Sequence, residues 1–94
     1  MIRVFLCDDD SDTANKYARL VAAAADRNNI EIAVSIFTSG EELLFCLADS
    51  PDSADIIYLD IIMGNANGMD IAKMLRENGC KAEIVFLTTS EEYG

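Results

Sequence analysis

The chain is 94 residues long, enough for one small domain, and 51% of its residues are apolar. It contains no histidine, which excludes histidine-based catalysis and histidine metal ligation. Its three cysteines, Cys7, Cys46 and Cys80, are an odd number without C-x-x-C spacing, against both a disulfide framework and a zinc site. The net charge of −10 opposes direct binding to nucleic acid and favours cations, provided the acids converge.

Residues Ile2 to Cys7 form an apolar run that enters directly from Met1 and breaks at Asp8, so the first predicted element is a strand. The N-terminus has no signal-peptide layout, and the longest apolar runs are strand-length, so a cytoplasmic protein without a membrane span is expected. Ser11 is placed as the cap of a helix whose Ala14, Tyr17, Ala18, Val21, Ala24 and Ala25 follow helical spacing, ended by Asn28-Asn29. Ile30, Ile32, Val34 and Ile36 then alternate with Glu31, Ala33 and Ser35, the pattern of an edge strand. Ser39-Gly40-Glu41-Glu42 matches a capping box and opens a helix carrying Leu43, Leu44 and Leu47. Pro51 lies in a polar loop.

Ile56 to Leu59 is a third strand ending at Asp60. Asn67 and Asp70 start a third helix carrying Ile71, Met74 and Leu75, with Gly79 at its C-cap. Ile84 to Leu87 is a fourth strand, closed by Thr88-Thr89. The alternation implies βαβ units, hence a doubly wound parallel α/β sheet of flavodoxin-like type with helices on both faces. The order expected is 2-1-3-4. Ile84-Val85-Phe86-Leu87 is apolar on both faces, as an interior strand would be. A fifth strand and last helix are therefore expected to be missing, leaving a single domain over residues 1–94 truncated after the fourth strand. The exposed fourth-strand edge is expected to drive homo-oligomer formation.

Parallel strands one and three are neighbours in this order, so Asp8, Asp9, Asp10 and Asp60 gather where the winding reverses, which is where such sheets bind ligands. An Asp triplet alone reads better as a strand end and helix cap. With Asp60 and the Thr88 hydroxyl at matching strand ends, a cation site is the better reading. Mg²⁺ suits such hard oxygen donors and phosphate chemistry, and an Asp carboxylate can be the nucleophile that forms an aspartyl phosphate.

Three motifs carry a family resemblance: Asp8-Asp9 after an apolar strand; Tyr58-Leu59-Asp60-Ile61-Ile62-Met63 followed by Asn67-Gly68-Met69-Asp70; and Phe86-Leu87-Thr88-Thr89-Ser90. Together they resemble the receiver domain of bacterial two-component response regulators, the CheY-like fold. Leu6-Cys7-Asp8-Asp9-Asp10 and Thr88 to Tyr93 look most like the LytTR-type branch. The resemblance implies that Asp60 is the phosphoacceptor and that Asp9, Asp60 and the backbone carbonyl of Ile62 ligate Mg²⁺, for which Mn²⁺ can substitute. It further implies that Asp8 acts through a metal-bound water, that Thr88 is the switch hydroxyl and that Thr89 lines the access path. The implied partner is a sensor histidine kinase, and the implied role is a phosphorylated signalling domain, not an enzyme, controlling a transcriptional output domain.

Two departures from the family pattern stand out. Gly64 replaces the family's proline, which is expected to loosen the loop presenting Ile62. The family's lysine has no counterpart, because Lys73 belongs to the third helix and Lys81 precedes the fourth strand at the opposite end of the sheet. Among alternatives, Asp10-Ser11-Asp12-Thr13 fits the D-x-D-T signature of haloacid-dehalogenase-like phosphatases, but Asp10 does not directly end its strand. A calcium loop starting at Asp8 fails at Thr13 and Arg19. A flavodoxin-like mononucleotide-binding module would want Gly, Ser and Thr where this chain has acids.

Overall fold

A computed structural model describes residues 1–64 and 66–87. The chain runs β1 (Ile2–Cys7), α1 (Ser11–Arg27), β2 (Ile32–Phe37), α2 (Gly40–Asp49), β3 (Ile56–Asp60), β4 (Ile62–Met63), β5 (Ala66–Asn67), α3 (Gly68–Glu77) and β6 (Glu83–Leu87). The four long strands form one parallel sheet in the order β2-β1-β3-β6. That is the expected 2-1-3-4 order, with β6 as the fourth strand, because the short antiparallel pair β4-β5 precedes it.

Strand parity divides the core. Phe5, Cys7, Ile57 and Leu59 point to the face covered by α2 and α3, where Leu43, Leu47, Ile71, Ala72 and Leu75 complete the main hydrophobic cluster. On the opposite face Val4 and Leu6 are buried beneath α1, which contributes Ala14. The register shows why β1 is central: Val4 lies opposite Val34 of β2 on one side and Ile56 of β3 on the other, so both edges of β1 are paired. β2 lies at the sheet edge as its alternation predicted, although it begins at Ile32, two residues later than the pattern suggested.

Helix ends follow local chemistry, with one correction. Ser39 caps α2 by accepting the Glu42 N–H at 3.1 Å, and the Glu42 carboxylate accepts from the Thr38 and Ser39 hydroxyls. Asn67 caps α3 by accepting the Met69 N–H at 2.8 Å. The cap of α1 is Asp10, not Ser11: its carboxylate accepts the Asp12 N–H at 3.2 Å and the Thr13 hydroxyl at 2.8 Å, and Ser11 is already helical. Asp and Ser cap comparably well, so the preceding carboxylate takes the position. α3 ends with Gly79 at φ +89, its N–H bonded to the Arg76 carbonyl and the Cys80 N–H to that of Leu75, as a C-terminal glycine motif requires. α1 ends the same way with Asn29 at φ +56.

The sheet ends are tied differently. At the N-terminal end, Arg3 donates to both carboxylate oxygens of Asp55, an exposed pair that joins β1 to the segment entering β3. Lys81 lies at this end, lining a depression with Arg3, Asp52 and Asp55, as expected. Replacing Asp10 by Ala is expected to lower stability by about 1 kcal/mol in urea unfolding, while Ser11→Ala and Asp10→Asn stay within about 0.5 kcal/mol. A larger loss from Ser11→Ala than from Asp10→Ala would contradict the cap assignment.

Candidate functional site

At the C-terminal end of the sheet, the apolar interiors of β1 and β3 deliver acids to one place. Asp8 follows β1 and is held there by its N–H, which donates to the Phe37 carbonyl of β2 at 3.0 Å. Asp60 ends β3, and the next residue is gripped from both sides. The Ile61 N–H donates to the Leu87 carbonyl of β6, and the Ile61 carbonyl accepts the Gly68 N–H of α3 at 2.7 Å. One carboxylate oxygen from each of Asp8, Asp9 and Asp60 falls within 4.8 Å of the others. Asp8 and Asp60 are buried, at 3% and 8% exposure, and Asp9 is exposed.

This crowding raises proton affinity. Burial, reinforced by the Asp8 and Asp9 charges, pushes the Asp60 pKa up to about 6, against the lowering effect of the Ile62 N–H. Burial also raises the Asp8 pKa, with Asp9 and Asp10 adding repulsion and the Asp10 N–H partly offsetting them. Among the described residues the one ion pair, Arg3–Asp55, lies at the opposite end of the sheet, so no Lys or Arg there balances the three acids. Three clustered hard carboxylates, with Asp8 and Asp60 raised in pKa, are a donor set that fits a small divalent cation.

The structure therefore brings Asp8, Asp9 and Asp60 together. Ile62 adjoins them, its N–H 3.4 Å from Asp60 Oδ1. Thr88 and Thr89 lie outside the described residues. Asp10 and Asp12 stand apart from the cluster, with Asp10 committed to capping α1, which removes the basis of the phosphatase reading. Cys7 is buried beside the site, with its thiol pushed up to about 12 by burial and by the Asp8 and Asp60 charges, so it stays protonated at neutral pH and offers no thiolate.

Two glycines matter more than the sequence suggested. A Cβ on Gly68 would collide with the Asp60 carbonyl oxygen and lie 2.9 Å from Ile61 Cα, so the start of α3 can press against the end of β3 only without a side chain. Its place directly after the Asn67 cap was the available signal. Gly64 adopts φ +48, a left-handed conformation closed to proline, whose ring holds φ near about −65°. The family's proline could not occupy this position with the backbone as it stands.

Comparison with known proteins agrees with this geometry. A family model described as the response regulator receiver domain matches residues 4–93. The Sensory transduction protein LytT of Bacillus subtilis (strain 168) is 28% identical over 93 residues, covering 99% of this chain and 36% of LytT. The Transcriptional regulatory protein DcuR of Escherichia coli (strain K12) is 29% identical over 92 residues, covering 98% of this chain and 37% of DcuR. The chain thus spans little more than a third of the length of these curated relatives. A response regulator receiver domain protein from Clostridium thermocellum superposes with a TM-score of 0.79 at 20% identity, covering 94% of this chain and 65% of that one. A Burkholderia pseudomallei response regulator, solved with a phosphorylated aspartic acid, calcium ion and citrate, superposes with a TM-score of 0.70 at 25% identity, covering 94% of this chain and 47% of that one. LytT represents the LytTR-type branch that the motifs resemble. The chain belongs to the response regulator receiver domain family.

Proposed function

We propose that this chain is a single receiver domain that accepts a phosphoryl group on Asp60 and needs Mg²⁺ to do so. The observation that carries the reading is the convergence of Asp8, Asp9 and Asp60 at the ends of β1 and β3. The ion would be held by Asp9, Asp60 and the Ile62 backbone carbonyl, with Asp8 acting through a water. When bound, it supplies positive charge that neutralises the phosphoryl oxygens. The phosphorylated aspartate of the Burkholderia relative supports the same chemistry here.

The phosphodonor is a sensor histidine kinase. An Asp60 carboxylate oxygen attacks phosphorus, the P–N bond of the donor's phosphohistidine breaks, and its electron pair stays on the imidazole nitrogen. Asp60 is buried at 8% exposure, whereas Asp9 is exposed. This is a signalling role, not turnover of a substrate: the modification shifts the domain's population toward an active conformation that governs a transcriptional output domain in the cytoplasm. No helix among the described residues is long and apolar enough to cross a membrane.

A second property follows from β6. Among the described residues its outer edge has no strand partner, and Val85 and Phe86 are 41% and 39% exposed. This edge supports self-association by strand pairing. Sedimentation at rising concentration is expected to show a growing oligomer fraction, and a folded monomer at all concentrations would contradict it.

Acetyl phosphate with Mg²⁺ is expected to produce a hydroxylamine-sensitive acyl phosphate that Asp60→Asn abolishes. Undiminished labelling of that variant would overturn the assignment. The raised Asp60 pKa also has a signed consequence for stability. The folded state binds this proton more tightly than the unfolded chain, so the stabilisation is full below the ordinary carboxylate pKa and is lost as pH rises through about 6. Metal-free protein is therefore expected to melt at lower temperature near about pH 7.5 than near about pH 5, and Asp60→Asn to flatten that fall. Mg²⁺ restores wild-type stability at the higher pH and helps the variant much less. Thermal melts across pH with and without Mg²⁺ check this, and equal slopes for both proteins would contradict it.

A further inference from the structure

On the side of the sheet covered by α2 and α3, two depressions share Gly40, Glu41 and Ala66 and so form one groove. One depression begins at Asp9 of the acid cluster. The other runs between the helices over Leu44, Ile71 and Met74, with exposed Glu41 and Asp70 beside them. The helix pair is tied at both ends. A Cβ on Gly40 would collide with the Ile71 side chain, so α2 begins in close contact with α3. At the far end the Asn78 side-chain amide donates to the Leu47 and Ala48 carbonyls at 3.2 and 3.4 Å, holding the end of α3 to the end of α2. A partner therefore meets a preformed surface, which lowers the ordering cost of binding.

The groove combines apolar side chains with negative charge. Met74 is 48% exposed, and Phe45, one helical turn beyond Glu41, is 82% exposed. Methionine and aromatic side chains bordered by polar ones are the composition of protein interfaces. The charged lining is Asp9, Glu41 and Asp70, and among the described residues none of the chain's seven Lys and Arg lines it. Arg76 of α3 donates instead to the Cys80 carbonyl. The two volumes, about 220 and 240 Å³, each fall below the roughly 300–1,000 Å³ of pockets that enclose small ligands, so the shape suits side chains presented by a larger body. A second copy of the chain brings its own net charge of −10 to this acidic face and is repelled. We propose that the α2–α3 groove docks a basic amphipathic segment of another protein, with its apolar side chains on Leu44 and Met74 and its Lys or Arg toward Glu41, Asp70 and Asp9. Mg²⁺ and such a segment draw on the same Asp9 charge, so each weakens the binding of the other. That coupling rests on the metal-binding reading given above; the docking itself does not.

The probe is a synthetic amphipathic helical peptide of Leu and Lys, titrated into the protein while amide signals are followed by NMR. Shifts centred on Glu41, Leu44, Asp70 and Met74 are expected, and neither an oligolysine peptide nor a Leu/Glu helix reproduces them. Met74→Lys is expected to weaken binding about tenfold, the loss typical of a central interface side chain. Met69 supplies the matched control, because it is an exposed methionine of α3 that lines neither depression. Met69→Lys is expected to stay within about twofold of wild type. Glu41→Gln removes one lining charge at nearly constant size and is expected to weaken binding about threefold. Saturating Mg²⁺ is expected to weaken it about fivefold. Shifts centred on Asp26 and Glu31, the acids of the depression between α1 and β2, or spread evenly over the surface, overturn the proposal. Equal losses in Met69→Lys and Met74→Lys, or equal shifts with oligolysine, do the same. Unchanged peptide affinity in protein whose Asp60 amide responds to Mg²⁺ overturns the extension of the surface to Asp9. An Asp60 amide that never responds removes the metal-binding reading instead, and the map of peptide shifts still decides the docking site.

Discussion

Mutual repulsion among Asp8, Asp9 and Asp60 is the constraint on which the rest of the site depends. Two of the three are buried, and their pKa values rise because the ionised forms are poorly solvated and close together. A protein keeps such a cluster only if its packing holds the backbone firmly enough to resist the repulsion. Here the holding elements are specific: Phe37 at the end of β2 accepts the Asp8 N–H, Leu87 at the end of β6 accepts the Ile61 N–H, and Gly68 lets α3 close against Asp60. The outer strands thus fix the ends of the inner ones. Binding a cation relieves the repulsion, which makes metal affinity and local strain two sides of one arrangement.

The same arrangement separates the clustered acids from those with structural partners. Asp10 sits within the Asp triplet yet caps α1, and Asp55 neutralises Arg3 at the far end of the sheet. Cys7, although next to Asp8, is kept as a protonated apolar residue by burial and by the surrounding negative charge. Chemical type alone does not assign these roles; the strand end on which a residue lies does.

Most of the fold was legible because its signals are local. Apolar runs ending in Asp, the capping patterns at Ser39 and Asn67, and the alternation of β2 each depend on a few neighbouring residues, and the βαβ order constrains the rest. Convergence of Asp8 and Asp9 with Asp60 was legible for the same reason, since β1 and β3 had to be neighbours. What escaped the sequence depends on contact at a distance or on competition between adjacent groups. Asp10 displaces Ser11 as a cap, β2 starts later than its alternation, and β4 and β5 are too short to have a period. Gly64 and Gly68 matter through atoms of Asp9 and Asp60, which are far from them in sequence or out of reach of any pattern.

The most direct test of the central claim is a Mn²⁺ titration followed by site-resolved NMR line broadening of the metal-free protein. The account expects broadening focused on the amides around Asp9, Asp60 and Ile62 at the ends of β1 and β3. Broadening centred on Asp10 and Asp12 that spares Asp60, or spread evenly over the acidic surface, would contradict it.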